Sequence, residues 1–153
     1  MPREQREERL LAEYLARHHQ SSEIRTRVRL GPTPLSHSGV KLEEAEEKLL
    51  RNFARWADAL VIRNDSVTII EAEVLPSPGV VSQLELYRAL FKNDPTFSEL
   101  QGRPVHLLAV WGVDDPALRA IAENHAVRVV IFTPTWLGEA LRARFKGSLA
   151  TAS

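Results

Sequence analysis

Asp58, Glu71 and Glu73 stand within or beside two short β-branched runs, Ala57 to Arg63 and Val67 to Val74, that are otherwise apolar. Between the runs, Asn64-Asp65-Ser66 has the composition of a hairpin turn. With Asn64 and Asp65 as the loop, opposed residues follow by counting: Arg63 faces Ser66, Ile62 faces Val67 and Asp58 faces Glu71. Side chains alternate along a strand, so Glu73 shares a face with Glu71, and the three carboxylates are expected to converge on one edge of the hairpin. Like charges this close repel and raise one another's pKa unless a cation, a proton or basic side chains offset them. A divalent metal is the most economical compensation.

The elements that must position this cluster follow from pattern. Leu10, Leu11, Tyr14 and Leu15 recur at helical spacing and predict a first helix over Arg3 to His19. Ile24 to Leu30 alternates, with Ile24, Thr26, Val28 and Leu30 on one side and Arg25, Arg27 and Arg29 on the other. That arginine row is read either as the solvated face of an edge strand or as a stripe for phosphate contacts. A Pro/Ser/Gly loop and a helix over Lys41 to Arg55 precede the hairpin. Its early glutamates and late basic residues suit the helix dipole.

After the hairpin, Pro76-Ser77-Pro78-Gly79 turns the chain into a helix from about Val80 to Phe91, on which Gln83 and Tyr87 share a face and Arg88 follows. Pro104 to Trp111 reads as a strand buried on both faces. Asp115-Pro116 starts a helix that reaches His125, and Val127 to Phe132 reads as another buried strand. A last helix covers about Thr135 to Arg144. Trp56, Trp111 and Trp136 each border an element and read as core anchors. Strands alternating with helices after Val67 require parallel crossovers, so the sheet is predicted to be mixed, an antiparallel meander followed by parallel strands.

The length, 153 residues, suits one domain over residues 1–146 with a flexible tail at 147–153. Twenty basic and twenty acidic residues balance, so any nucleic-acid surface must be local. The absence of cysteine excludes disulfides and thiolate metal sites. No apolar run is long enough to span a bilayer and the N-terminus is too charged for a signal peptide, so the expectation is a cytoplasmic protein with no membrane partner. Phosphate-binding glycine loops and the Gly-x-Ser-x-Gly elbow are both missing, which removes support for nucleotide-driven and serine chemistry.

Asp58, the hairpin, Glu71-Ala72-Glu73 and then Gln83-Leu84-Glu85-Leu86-Tyr87 together resemble the PD-(D/E)XK nuclease superfamily, in particular the RecB-like and phage exonuclease-like branch with a Q-x-x-x-Y helix. The resemblance covers roughly Glu23 to Phe132. It implies an α/β fold with a restriction-endonuclease-like core and metal-dependent hydrolysis of DNA phosphodiester bonds. Asp58, Glu71 and the backbone carbonyl of Ala72 would hold Mg²⁺ or Mn²⁺, with Gln83 and Tyr87 bracing the site or touching the DNA backbone. Arg25, Arg27, Arg29 and Arg88 are the candidate nucleic-acid contacts. At Glu73 the family usually carries a lysine that orients the attacking water. Here Glu73 would be a further ligand or the base for that water. The departure keeps an alternative open, a catalytically silent nuclease-fold protein serving as a structural, assembly or binding subunit, for example of a phage. One chain of this size has little surface to grip a duplex, so a homodimer or a larger complex is the expected assembly.

Overall fold

Two apolar faces of one sheet, each covered by helices, organise the chain. The computed structural model describes residues 2–31, 43, 44, 46 and 55–151, of which 148–151 by backbone alone. Helix α1 (Arg3–His18) is followed by strands β1 (Glu23–Leu30), β2 (Arg55–Ile62) and β3 (Val67–Glu73). Then come helix α2 (Gly79–Lys92), a 3₁₀ segment (Pro95–Leu100), strand β4 (Val105–Trp111), helix α3 (Pro116–Asn124), strand β5 (Val127–Ile131) and helix α4 (Thr135–Thr151). The helix expected over Lys41 to Arg55 lies almost wholly outside the described residues, and Arg55 itself opens β2. Helix α4 continues past Arg144 through the start of the expected tail.

The five strands lie in the order β1-β2-β3-β4-β5. β1, β2 and β3 form an antiparallel meander, and β3, β4 and β5 run parallel. This is the α/β fold with a mixed sheet, an antiparallel meander followed by parallel strands, that the sequence predicts. The turn ruler holds: Ile62 pairs with Val67, and Arg63 and Ser66 exchange backbone hydrogen bonds of 2.9 and 3.4 Å around Asn64-Asp65.

Alternation along the strands divides the core. On one face, Leu60, Ile62, Val67, Ile69, Leu107, Ala109 and Trp111 pack under α2 and α3 through Val80, Leu84, Tyr87, Phe91, Leu118 and Ala122. On the other, Ala59, Val61, Ile70, Ala72, Leu108 and Val110 meet Leu11, Tyr14 and Leu15 of α1. A smaller cluster joins Leu10 and Val74 to Leu137 and Leu141 of α4. Asp115 caps α3 by accepting from the Leu118 amide at 3.0 Å, with Pro116 in the first turn. β5 departs from expectation. It forms an edge of the sheet and is only partly covered, with Ile131 exposed, because one flank has no further strand to pair. Among the described residues no helix is long and apolar enough to cross a membrane.

Gly112 closes the end of β4 nearest the carboxylates. Its amide donates to the Glu73 carbonyl at 3.0 Å, and a Cβ there would sit 2.6 Å from Leu137 Cδ2 and 2.9 Å from the Val74 carbonyl oxygen. The backbone oxygen cannot swing aside as a side chain would. Gly112→Ala is therefore expected to destabilise by about 1–3 kcal/mol through overpacking, lowering Tm by several degrees. Gly79→Ala, which meets nothing within 4 Å, is expected to stay within about 0.5 kcal/mol. Equal melting of the two variants would contradict this packing.

Candidate functional site

The site lies where the regular pairing of β2 with β3 stops. The last paired residues are Ala59 and Ile70, and at the next step side chains replace backbone as the cross-strand link. The Asp58 amide donates to Glu71 Oε1 at 3.1 Å, and the Ala72 amide donates to Asp58 Oδ2 at 2.9 Å. The expected opposition of Asp58 and Glu71 is thus realised by two reciprocal carboxylate-to-amide bonds. The first strand yields at the same level. Arg27, opposite Asp58, takes φ of +50°, an uncommon conformation for a non-glycine residue.

That left-handed step reverses the alternation of β1. Ile24 packs on the α1 face, whereas Val28 and Leu30 pack on the α2 face, so the three apolar residues of this strand do not share one side. The arginine row breaks with them. Arg25 is held by Glu23 at 3.0 Å and Glu99 at 3.6 Å in a polar hollow near the hairpin turn. Arg27 instead lines a cleft against α1. Arg29 is exposed and is one of the charges acting on Asp94.

Asp58 and Glu71 are largely withdrawn from water. Burial, followed by the negative charge of Asp58, pushes Glu71 from the ordinary 4.5 up to about 9. Burial also raises Asp58, against the opposing effect of the Ala72 amide. With the Asp58 charge beside it, the buried Glu71 is the member of the pair that keeps its proton. The neighbouring charges that act most on the pair are other carboxylates, Glu7 and Glu8 on Asp58 and Glu73 on Glu71, with Arg88 not among them.

Glu73 takes a different role from the pair. Its Oε2 accepts from the Ser77 amide and its Oε1 from the Ser77 hydroxyl, both at 2.8 Å, so it fastens the turn between β3 and α2. Burial raises its pKa while both Ser77 bonds oppose that shift. Among the described residues no three His, Asp or Glu side chains group as a metal-ligand set. The expected three-carboxylate convergence thus reduces to a bonded pair with Glu73 alongside.

Across the α2 face, Gln83 Nε2 donates to Tyr87 Oη at 2.7 Å, confirming that these residues share one side of the helix. Tyr87 is buried, and burial followed by the charge of Glu71 raises its hydroxyl to about 12, so it remains a proton donor near the carboxylates at any physiological pH. Arg88, the next residue, is half-buried.

On the α1 side, Asp58 opens into a cleft of about 510 Å³ lined also by Glu4, Glu7, Glu8, Leu11, Leu15, Thr26, Arg27 and Trp56. The basic border expected of a phosphate groove is replaced by acidic side chains of α1. Trp56, expected in the core, is 42% exposed. It stays in register with Arg29 of β1, and no periodicity in the sequence signals its exposure. Trp111 is fully buried, as expected, and Trp136 packs partly buried with its indole N–H donating to Glu13 at 2.7 Å. A scan against protein-family models finds no match, and no curated protein matches the chain.

Chemically, two adjacent carboxylates short of compensating positive charge form an oxygen donor set for a hard divalent cation. Mg²⁺ is commonly held by one or two carboxylates with water completing its shell, so the chemistry of the pair would not need a third acid to hold such an ion. Without metal, the folded protein holds a proton on Glu71 that the unfolded chain releases above 4.5. Folding is therefore linked to proton uptake, and stability falls as pH rises from 4.5 towards about 9. Thermal melts in chelator should show this decline. Glu71→Gln, neutral throughout, should flatten it, matching the parent near pH 5 and melting higher near pH 9. Parallel curves for the two proteins would contradict the buried pair.

Proposed function

We propose that this chain is a metal-dependent nuclease of the PD-(D/E)XK type that hydrolyses phosphodiester bonds in DNA. The observation that carries this reading is the Asp58–Glu71 pair, bonded across β2 and β3 where their regular pairing ends, within a mixed sheet of the matching strand order. Asp58 and Glu71, with the Ala72 carbonyl, would hold Mg²⁺ or Mn²⁺, which when bound lowers the pKa of water and neutralises charge on the phosphate.

The chain's own residues divide the remaining work. The amides of Asp58 and Ala72 lock the carboxylates in place, so little side-chain freedom is lost on binding. Glu71 would have to give up its proton to serve as a ligand, so ligation would strengthen as pH rises. Tyr87, kept protonated and tied to Gln83, stands near the pair as a neutral donor. Glu73 is the remaining carboxylate from which a proton acceptor for water can come. In that role it must release Ser77, to which both of its oxygens are bonded.

A second reading, a silent nuclease-fold subunit, is favoured by one set of observations: Glu73 is engaged by Ser77, and acidic residues of α1 border the cleft. Cleavage assays separate the two. With Mn²⁺, the wild-type chain is expected to cleave single-stranded or duplex DNA, and Asp58→Ala to lose roughly 10²-fold or more of that rate. No cleavage of any DNA by the wild-type chain, or equal cleavage by the variant, would reject the nuclease reading at this site.

A further inference from the structure

Resting on the nuclease reading, we infer that Trp56 is a stacking platform for an unpaired base beside Asp58, and that the cleft between α1 and β2 selects single-stranded or frayed DNA over intact duplex. Trp56 and Asp58 are two residues apart on β2, the spacing that places side chains on one face of a strand, and both line the cleft. An indole left 42% exposed presents ring surface to solvent, where stacking on a base recovers what the sheet does not bury. The Arg27 guanidinium lies 6.0 Å from the ring centroid, at the outer range of a cation–π contact. Its exposed charge is available to a phosphate at the mouth of the cleft.

The walls give the cleft its selectivity. Leu11, Ala12 and Leu15 provide an apolar side, and the volume of about 510 Å³ falls within the range of small-molecule pockets. Glu4 and Glu8 from α1, with Glu7 held by Arg3 at 2.9 Å, oppose a duplex, whose two backbones present about one charge per 1.7 Å of helix axis. A lone base turned inward keeps its phosphates outside. Its exocyclic amino group, where it has one, becomes a donor to these carboxylates. Stacking by itself is tolerant of sequence, because every base has a π-face.

The experiment uses fluorescence anisotropy with a labelled single-stranded oligonucleotide and the blunt duplex made from it, in an Asp58→Ala background that prevents turnover. Adding Trp56→Ala is expected to weaken single-strand binding about tenfold, Trp56→Phe to retain most of it, and neither to change the weak duplex binding. With Asp58 intact, Trp56→Ala should raise KM for single strands more than it lowers kcat. Unchanged single-strand binding in Trp56→Ala, or duplex bound as tightly as single strand, overturns the inference. So does a Trp56-dependent fluorescence change with a lysine-rich peptide and none with the oligonucleotide. If the wild-type chain cleaves DNA and Trp56→Ala cleaves single strands as well as it does, the inference falls and the nuclease reading stands. If the wild-type chain neither binds nor cleaves any DNA, both fall.

Discussion

A buried Glu71 carboxyl set against a half-buried Asp58 is costly, and the structure around the two is shaped by that cost. Each accepts one backbone amide from the opposite strand, so the pair takes over the linking role that ladder hydrogen bonds perform elsewhere in β2 and β3. The exchange consumes two amides that would otherwise be unpaired. It does not consume the charge. One carboxyl retains a proton, and Glu73, Glu7 and Glu8 add like charge around the pair while Tyr87 beside it stays neutral. A group of this kind is either a strained structural feature or, in the function proposed above, a place prepared for a cation.

The sheet holds the pair from both sides. Parallel pairing of β3 with β4 continues through Glu71 to Glu73, so the glutamate strand is anchored along its length. The aspartate strand is anchored only from Ala59 onward on its β3 side and bends away before it, in step with the left-handed residue Arg27 on β1. This asymmetry opens the cleft towards α1. It also explains why Glu71 stands towards Tyr87 while Asp58 faces the helix carrying Glu7 and Glu8.

Much of this was legible in the sequence, for reasons that are local. The Asn64-Asp65 turn fixes register, register opposes Asp58 to Glu71, and four-residue spacing places Gln83 beside Tyr87. What was not legible depends on broken periodicity. Counting by twos assumes an uninterrupted strand, so it places Arg25, Arg27 and Arg29 on one face, and a single positive φ at Arg27 separates Arg25 from Arg27. Trp56 reads as a core anchor only because it borders a strand, a position that does not fix which way the ring turns. Glu73 escaped for another reason. Its partner Ser77 lies in the Pro/Gly turn that was read as a connector, and a capping bond to a turn amide leaves no repeating pattern. The acidic border arises from α1, far from β2 in sequence, and no local rule joins them.

The central claim, that Asp58 and Glu71 are poised for a divalent cation, is tested most directly by titrating the metal-free protein with Mn²⁺ in a calorimeter, in two buffers of different ionisation enthalpy. The account predicts saturable binding at neutral pH with release of about one proton per ion. It also predicts that the proton release disappears in Glu71→Gln. Binding without proton release in the parent protein, or no binding while Asp58 and Glu71 are both intact, would contradict it.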